Sequence, residues 1–248
     1  MSLLAVAGLS KAFGGVQAVD RVGFSVARGE LLAMIGPNGA GKTTCFNLVN
    51  GQLQPDAGEI SFEGKRIERR SPGERFRLGL GRTFQVAATF GSMTVLQNVQ
   101  VALLSKAGGL GSLVSSLPRP DEARQLLQKT GMKELADRQC AELAYGDLKR
   151  VELAVALAGR PRLLLMDEPT AGMAAAERLA LMTLVKEISA QAGISVLFTE
   201  HDMDVVFGFA DRVLVLAEGE LIAQGTPAEV RADARVRRVY LGEEAARA

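Results

Sequence analysis

Short runs of consecutive apolar residues recur along this chain between amphipathic stretches, a pattern typical of an α/β protein. Four of these runs are too short for helices and predict buried strands of a parallel sheet. Nearer the N-terminus, apolar and polar residues alternate, which predicts antiparallel strands in a layer beside that sheet. The consecutive runs lie at 31–35, 163–166, 194–198 and 212–216, and the alternating ones at 22–26 and 60–62.

Between residues 91 and 142 the strand-like patterns give way to helical ones. Two helices are predicted, around 93–104 and over 120–139, and the glycines of 107–117 predict a flexible segment between them. We therefore expect residues 91–142 to form a helical subdomain that is inserted into an α/β core.

The remainder of the chain is predicted to form the core of a single domain that spans residues 1–248. This core comprises residues 1–90 and 143–248, with the antiparallel β layer in its first part. The arginine- and lysine-rich stretch 65–82 is predicted to be a solvated helix or loop. Further helices are predicted at 147–158, over the stretch with Leu179, Met182, Val185 and Ile188, and from Thr226-Pro227-Ala228-Glu229, which has the residues of a helix start.

A glycine-rich stretch, GPNGAGKTT at positions 36–44, follows the first apolar run and fits the phosphate-binding pattern G-x-x-x-x-G-K-[ST]. Glycines let the backbone wrap around a polyphosphate, the lysine reaches the β- and γ-phosphates, and the threonine hydroxyl coordinates Mg²⁺. A helix is predicted at 43–50, and the order strand, loop, helix favours this site over an ordinary glycine-rich turn. The predicted phosphate-binding residues are Gly36, Pro37, Asn38, Gly39, Ala40, Gly41, Lys42, Thr43 and Thr44.

Two carboxylates, Asp167 and Glu168, end the apolar run at 163–166. Asp167 is predicted to hold Mg²⁺ through water, and Glu168 to orient and deprotonate the attacking water. In isolation such a pair would be interpreted as solvated acids at a strand end, but the phosphate-binding stretch favours the catalytic interpretation. His201 is the only histidine and ends another apolar run, so it is predicted to contact the γ-phosphate, although a lone histidine is usually structural.

Composition and charge narrow the classes of partner. The formal net charge is +1, which gives no overall field toward nucleic acid or an anionic bilayer. Cys45 and Cys140 have neither a disulfide pattern nor a metal-site pattern, as expected of a reduced intracellular protein. Cys45 follows the phosphate-binding stretch, where a thiolate would be favoured, yet a small buried apolar side chain is the preferred interpretation. No apolar run approaches the ~18 residues of a membrane span, so membrane contact is expected only through a partner.

Taken in order, these motifs resemble those of ATP-binding-cassette (ABC) proteins. Leu143-Ala144-Tyr145-Gly146-Asp147 lies about twenty residues before Asp167 and resembles the LSGGQ signature of that family. Gln85 resembles its Q-loop glutamine and His201 its switch histidine, so the resemblance spans essentially the whole chain. Within the family, five stretches are similar to those of the ATPase subunits of branched-chain amino-acid importers, of the LivG type. They are Thr83-Phe84-Gln85, Tyr145-Gly146, Thr170-Ala171-Gly172-Met173, Glu200-His201-Asp202-Met203 and Tyr240-Leu241-Gly242-Glu243.

The resemblance implies a P-loop (RecA-like) core, with ATP and Mg²⁺ as cofactors and ATP hydrolysis as the activity. Lys42, Glu168 and His201 are the expected catalytic residues, and Thr43, Gln85 and Asp167 the expected Mg²⁺ ligands. Phe13 is a candidate to stack on adenine, but its position suits a core or turn aromatic equally well. The expected ATP contacts beyond residues 36–44 are Phe13, Gln85 and, toward the nucleotide of a partner subunit, Ala144, Tyr145, Gly146 and Asp147.

The partners that the resemblance implies are a second ABC ATPase subunit arranged head to tail, two integral membrane permease subunits and, through the permease, a periplasmic solute-binding protein. No nucleic acid is expected, and the implied location is the cytoplasmic face of the inner membrane. Three residues depart from the family pattern: Ala144 replaces a serine, Asp147 a glutamine, and Ala174 an aspartate or asparagine. We interpret these departures as those of one subunit in a heterodimer, and not of an inactive enzyme.

Two other classes of protein compete with this interpretation. A soluble ABC ATPase could serve DNA repair, translation or iron–sulfur assembly, but this chain has neither long heptad arms nor a second cassette. Chain length does not exclude the iron–sulfur class. A P-loop kinase would leave the signature and His201 without a role. Branched-chain amino acids are the substrate that the resemblance implies, and other amino acids, amides and small carboxylates stay open.

Overall fold

The four runs of consecutive apolar residues form neighbouring strands of a six-stranded sheet, as their pattern predicts. The structure is a computed structural model and describes residues 2–83, 89–106 and 119–239. In order across the sheet, its strands are β10 (Glu220–Gly225), β9 (Arg212–Ala217), β3 (Leu31–Ile35), β8 (Ser195–Thr199), β7 (Leu163–Asp167) and β6 (Leu80–Arg82). All neighbours pair in parallel except β10, which is antiparallel to β9. Strand β6 lies within the stretch 65–82, which the sequence predicted as a helix or loop.

The alternating runs form a second, four-stranded antiparallel sheet, which confirms the predicted β layer. Its strands, in order, are β2 (Val16–Ala27), β1 (Ser2–Phe13), β4 (Ala57–Phe62) and β5 (Lys65–Arg66). Val22, Phe24 and Val26 are buried, whereas the residues between them are partly exposed, so the alternation marks the inner face of this sheet.

The parallel sheet is buried on both faces, which explains its uninterrupted apolar runs. Leu32 and Met34 of β3 pack toward the antiparallel sheet and α1 (Lys42–Asn50). Leu31, Ala33 and Ile35 of the same strand pack on the opposite side. The helices there are α5 (Tyr145–Ala158), α6 (Ala175–Ala192), α7 (Met203–Phe209) and α8 (Pro227–Ala232).

Two further helices, α3 (Val95–Lys106) and α4 (Pro120–Lys129), pack with one face of α5 around a third apolar cluster. The predicted helix 120–139 is wrong in length, because the chain leaves the helix at Thr130 and Gly131 has φ +71°. Short 3₁₀ turns at Lys133–Leu135 and Cys140–Glu142 follow. The predicted flexible segment 107–117 lies outside the described residues, and the division at 91–142 stays a prediction.

Arg75, in α2 (Pro72–Arg77), corrects the prediction that residues 65–82 are simply solvated. Its guanidinium is buried and donates hydrogen bonds to the carbonyls of Leu48 and Val49 at 2.7 and 2.6 Å, at the last turn of α1. Further bonds reach the carbonyls of Glu68 and Arg70. Burial lowers the pKa of Arg75 to about 10, so it stays protonated near neutral pH and holds the C-terminal end of α1.

Leu179 corrects the predicted apolar face of α6. Its side chain is 46% exposed, whereas Met182, Val185 and Ile188 are buried against the sheet. The short helix α7 was not predicted. Among the helices of the described residues, none has both the length and the apolar character needed to cross a bilayer.

Candidate active site

The predicted site residues come from strands that lie side by side in the parallel sheet. Thr199 of β8 pairs with Met34 of β3 on one side and with Asp167 of β7 on the other. Because the three strands are parallel, the segments that follow them leave from the same edge of the sheet. The structure thereby brings the phosphate-binding stretch 36–44 to the edge that carries Asp167, Glu168 and His201.

The stretch 36–44 is held against the backbone of two other strands at its glycines. Gly36 has φ +155°, and a Cβ there would lie 2.1 Å from the carbonyl oxygen of Leu216. Gly41 has φ +95°, and a Cβ there would lie 2.3 Å from the carbonyl oxygen of Ala18. Only glycine fits at these two positions. Gly39 also has a positive φ, +81°, but an added Cβ would meet nothing within 4 Å.

Gly41 is the N-cap of α1, so the free N–H groups of the first turn of α1 lie next to this loop. No acidic side chain occupies that first turn. Lys42 is buried, and its Nζ donates to the carbonyl oxygens of Gly36 at 2.6 Å and Pro37 at 2.9 Å. The loop therefore combines backbone donors, a helix N-terminus and an ammonium group, which together suit a polyphosphate.

Asp167 is buried, and both of its carboxylate oxygens have partners. Oδ1 accepts a hydrogen bond from the Thr199 hydroxyl at 2.8 Å, and Oδ2 lies 3.3 Å from Nη2 of Arg82. Arg82 also donates to Asn47 of α1 at 3.0 Å and to Gln52, two residues beyond the end of α1, at 2.6 Å. It therefore connects Asp167 to α1 and to the chain that follows this helix. Burial lowers the pKa of the Arg82 guanidinium, and the charge of Asp167 opposes that shift.

Sequence reasoning gave Thr199 and Arg82 no role. The available signals were their positions: Thr199 is the last residue of an apolar strand that ends beside the site, and Arg82 directly precedes Thr83-Phe84-Gln85. A hydroxyl and a guanidinium at such strand ends are candidates to orient a neighbouring carboxylate.

Glu168 and His201 face each other at the mouth of the site. Oε1 of Glu168 lies 2.7 Å from Nε2 of His201, and both side chains are partly exposed to solvent. Glu168 has φ +48°, and its N–H donates to the carbonyl and hydroxyl oxygens of Thr199 at 3.2 and 3.0 Å. Backbone strain at a non-glycine residue, held by neighbouring bonds, is common where a side chain must be aimed.

The residues 144–147, which the sequence predicts to act as a signature, lie at the start of α5. Ala144 is its N-cap and makes no side-chain capping bond, while Asp147 lies in the first turn. Ala144, Gly146 and Asp147 line a pocket of about 270 Å³ with residues of α6 and the loop before it, among them Met173 and Glu177. The structure therefore places the signature beside the loop 169–174.

The remaining predicted residues make no contact described above with Asp167, Glu168 or His201. Phe13 is 47% exposed at the end of β1, with the Lys11 ammonium 5.6 Å from its ring centroid. Thr43 is exposed and Thr44 half-buried in the first turn of α1. Gln85 lies outside the described residues. Cys45 is fully buried, and burial raises the pKa of its thiol to about 12, which confirms its interpretation as an apolar side chain.

This arrangement has counterparts among known proteins. A protein-family model described as ABC transporter matches residues 19–171, and one described as branched-chain amino acid ATP-binding cassette transporter matches residues 220–246. The high-affinity branched-chain amino acid transport ATP-binding protein LivG of Salmonella typhimurium is 39% identical over an alignment of 251 positions, which covers 97% of this chain and 98% of that protein.

Solved structures give the same picture. An ATP-binding cassette of an ABC transporter, crystallised in its ADP conformation, superposes with a TM-score of 0.87 at 33% identity and covers 98% of this chain and 99% of its own. A dimeric ATP-binding cassette in a post-hydrolysis state, bound to ADP and phosphate, superposes with a TM-score of 0.77 at 25% identity, covering 90% and 98%.

Proposed function

This chain belongs to the ATP-binding proteins of ABC transporters, and from that premise we propose that it drives the import of branched-chain or related amino acids through a separate membrane permease. As a member of that family it binds nucleotide and hydrolyses ATP. The meeting of the stretch 36–44, Asp167, Glu168 and His201 at one edge of the sheet supports ATP hydrolysis. The observation that carries the proposed import is the 39% identity to LivG over almost the whole of both chains.

ATP is proposed to bind with its phosphates in the loop 36–44. The fit is supported by the glycine cradle, where a Cβ at Gly36 or Gly41 would collide with backbone, and by the absence of acidic side chains in the first turn of α1. Lys42 would exchange its bonds to the Gly36 and Pro37 carbonyls for bonds to the β- and γ-phosphates. Phe13, exposed at the end of β1, is proposed to stack on adenine.

Mg²⁺ is proposed as the metal, with Thr43, Gln85 and Asp167 as its protein partners. The hydroxyl of Thr43 and the carboxylate of Asp167 are oxygen donors of the kind that Mg²⁺ prefers, with water and phosphate completing its shell. Bound there, the ion would neutralise charge on the β- and γ-phosphates. Thr199 and Arg82 hold the Asp167 carboxylate in a fixed orientation.

Glu168 is proposed to accept the proton of the attacking water, and His201 to hold the Glu168 carboxylate and contact the γ-phosphate. The 2.7 Å contact between Oε1 of Glu168 and Nε2 of His201 supports this division of roles. A carboxylate can act as general base when it lies within hydrogen-bond reach of the water that it deprotonates.

The proposed assembly contains a second, head-to-tail ABC ATPase subunit, two permease subunits and a periplasmic binding protein, at the cytoplasmic face of the inner membrane. The similar dimeric cassette supports the ATPase pair. Ala144, Tyr145, Gly146 and Asp147 would then contact the partner's nucleotide through the N-terminus of α5.

The function is tested by purifying the tagged chain from its native cells in detergent and reconstituting the complex in liposomes. We expect a hydrophobic permease to co-purify, and ATP hydrolysis to rise severalfold when the binding protein is loaded with leucine, isoleucine or valine. Complexes carrying Glu168→Gln serve as the control for background hydrolysis. Association with soluble proteins alone would contradict transport, and a response only to solutes that are not amino acids would contradict the substrate class.

Ala144→Ser tests the heterodimer. A serine hydroxyl would add one hydrogen bond to the partner's γ-phosphate, and the low end of such a bond, about 1.5 kcal/mol, corresponds to roughly tenfold in affinity. We expect the wild-type chain alone to dimerise weakly on ATP, and the variant at least about tenfold more tightly, as measured by analytical ultracentrifugation of hydrolysis-deficient chains.

Serine at this position would also cap α5, because Ala144 is the N-cap and makes no side-chain bond. That effect, about 1 kcal/mol, stabilises the monomer with or without ATP, so the melting temperature separates it from dimerisation. Ala141→Ser, an exposed alanine three residues earlier, is the matched control. Tight ATP-dependent dimerisation of the wild-type chain would contradict the heterodimer.

A further inference from the structure

We propose that Glu200 is a positioning residue for hydrolysis, whose buried carboxylate fastens the segment carrying His201 to the loop 169–174 that follows Glu168. The inference rests on the proposed roles of Glu168 and His201. It assigns a task to a carboxylate that neither binds phosphate nor activates water in that proposal.

Glu200 is 4% exposed and Thr170 is 1% exposed, so their contact is shielded from water. The hydroxyl of Thr170 donates to Oε1 of Glu200 at 2.6 Å, and the N–H of Thr170 donates to the same oxygen at 2.9 Å. The other oxygen, Oε2, accepts from the N–H of His201 at 3.2 Å. One carboxylate thus bonds to both segments, and these three donors are uncharged.

The position of this contact in the fold gives it its role. Strands β7 and β8 pair along their length up to Asp167 and Thr199, and the N–H of Glu168 makes one more bond to Thr199. Beyond that point the two segments diverge, one toward α6 and the other toward α7. The Glu200–Thr170 contact joins the segments that follow β7 and β8 beyond the end of the sheet. It lies next in sequence to Glu168 and His201 on the two segments.

A second link lies on the other side of His201. Nη1 of Arg178, in α6, lies 2.8 Å from Oδ2 of Asp202, whose other oxygen caps α7 through the N–H of Val205 at 3.1 Å. His201 is therefore flanked by two carboxylates, and each is bonded to the segment that follows Glu168. Neither link involves a side chain at Ala174, so the loop and His201 are coupled within this chain despite that alanine.

The first test uses the fact that His201 is the only histidine. In the full-length, nucleotide-free chain with labelled histidine, the ring signals in the NMR spectrum report on His201 alone. We expect Thr170→Val to shift these signals, because the variant loses the hydroxyl bond at 2.6 Å and keeps only the N–H bond at 2.9 Å to Oε1 of Glu200. The loosened carboxylate would then hold the N–H of His201 less firmly. Thr170→Ser retains both donors and should restore the wild-type signals.

Kinetics in the assembled transporter provide the second test. We expect Glu200→Gln and Thr170→Val to lower kcat by about tenfold, since misplacement of a group near the reaction has large effects, with KM for ATP within twofold. Thr183→Val, the same change at an exposed position of α6, is the matched control. Should Thr170→Val fail to fold, Glu200→Gln, which preserves the side-chain shape, decides by the same two measurements.

The proposal is overturned if folded Glu200→Gln and Thr170→Val chains keep both the wild-type ring signals and kcat within twofold. A rise in KM for ATP with unchanged kcat would also overturn it, because that would place Glu200 in nucleotide binding. Failure of the proposed hydrolysis roles is distinguishable, since it would appear as activity in Glu168→Gln while the ring signals still respond to Thr170→Val.

Discussion

Glu168→Gln should lower ATP turnover by about 10²–10⁴, the range for loss of a general base, while nucleotide still binds. Glutamine has the shape of glutamate and can keep a hydrogen bond to His201, now 2.7 Å from Oε1 of Glu168. It can also adopt the same backbone, φ +48°, at no greater strain. What it lacks is a basic oxygen, so only the proton transfer should fail.

Turnover is measured as phosphate release by the assembled transporter in which the second cassette carries its own Glu→Gln change, so that only the site of Glu168 is counted. Binding is measured with a fluorescent ATP analogue on the same preparation. Glu187→Gln, the same change at an exposed position of α6, controls for the loss of one negative charge. In the Glu168→Gln complex, ATP that is bound and not hydrolysed should keep the two cassettes associated. Turnover within twofold of wild type would remove Glu168 from the role of base.

Much of the fold was predictable because its signals are local. The strand, glycine loop and helix around residues 36–44 are contiguous in the chain, and so are the apolar residues of β7 and the carboxylates that end it. The start of α8 is another example, since Thr226 and Glu229 form the predicted capping box. Each of these features is decided by neighbours within a few residues.

The errors arise where distant segments determine the outcome. Arg75 was predicted to be solvated because charge usually is, but its partners are backbone carbonyls at the end of α1, which no sequence pattern displays. The roles of Thr199 and Arg82 likewise depend on the registers of β6, β7 and β8. The error in the length of α4 has another cause, because Gly131 is visible in the sequence and signals that the helix should end before it.

Gly41→Ala should disrupt both folding and nucleotide binding, and comparison with Gly39→Ala isolates the cause. Both glycines have positive φ, +95° and +81°, so alanine at either one incurs the left-handed penalty of about 1–2 kcal/mol. Only at Gly41 would the new Cβ also lie 2.3 Å from the carbonyl oxygen of Ala18, in β2. That overlap forces either the loop or the antiparallel sheet to move.

The expected loss in the free energy of unfolding is therefore about 1–2 kcal/mol for Gly39→Ala, and about 2–5 kcal/mol for Gly41→Ala, because overpacking adds a further 1–3 kcal/mol. Since Gly41 is the N-cap of α1, the shift would also displace the N–H groups offered to phosphate, and ATP affinity should fall by at least about tenfold, equivalent to 1.4 kcal/mol. Denaturant unfolding and ATP-analogue titration measure the two effects. Equal losses of stability in the two variants would mean that strain at positive φ, and not contact with β2, makes glycine necessary at position 41.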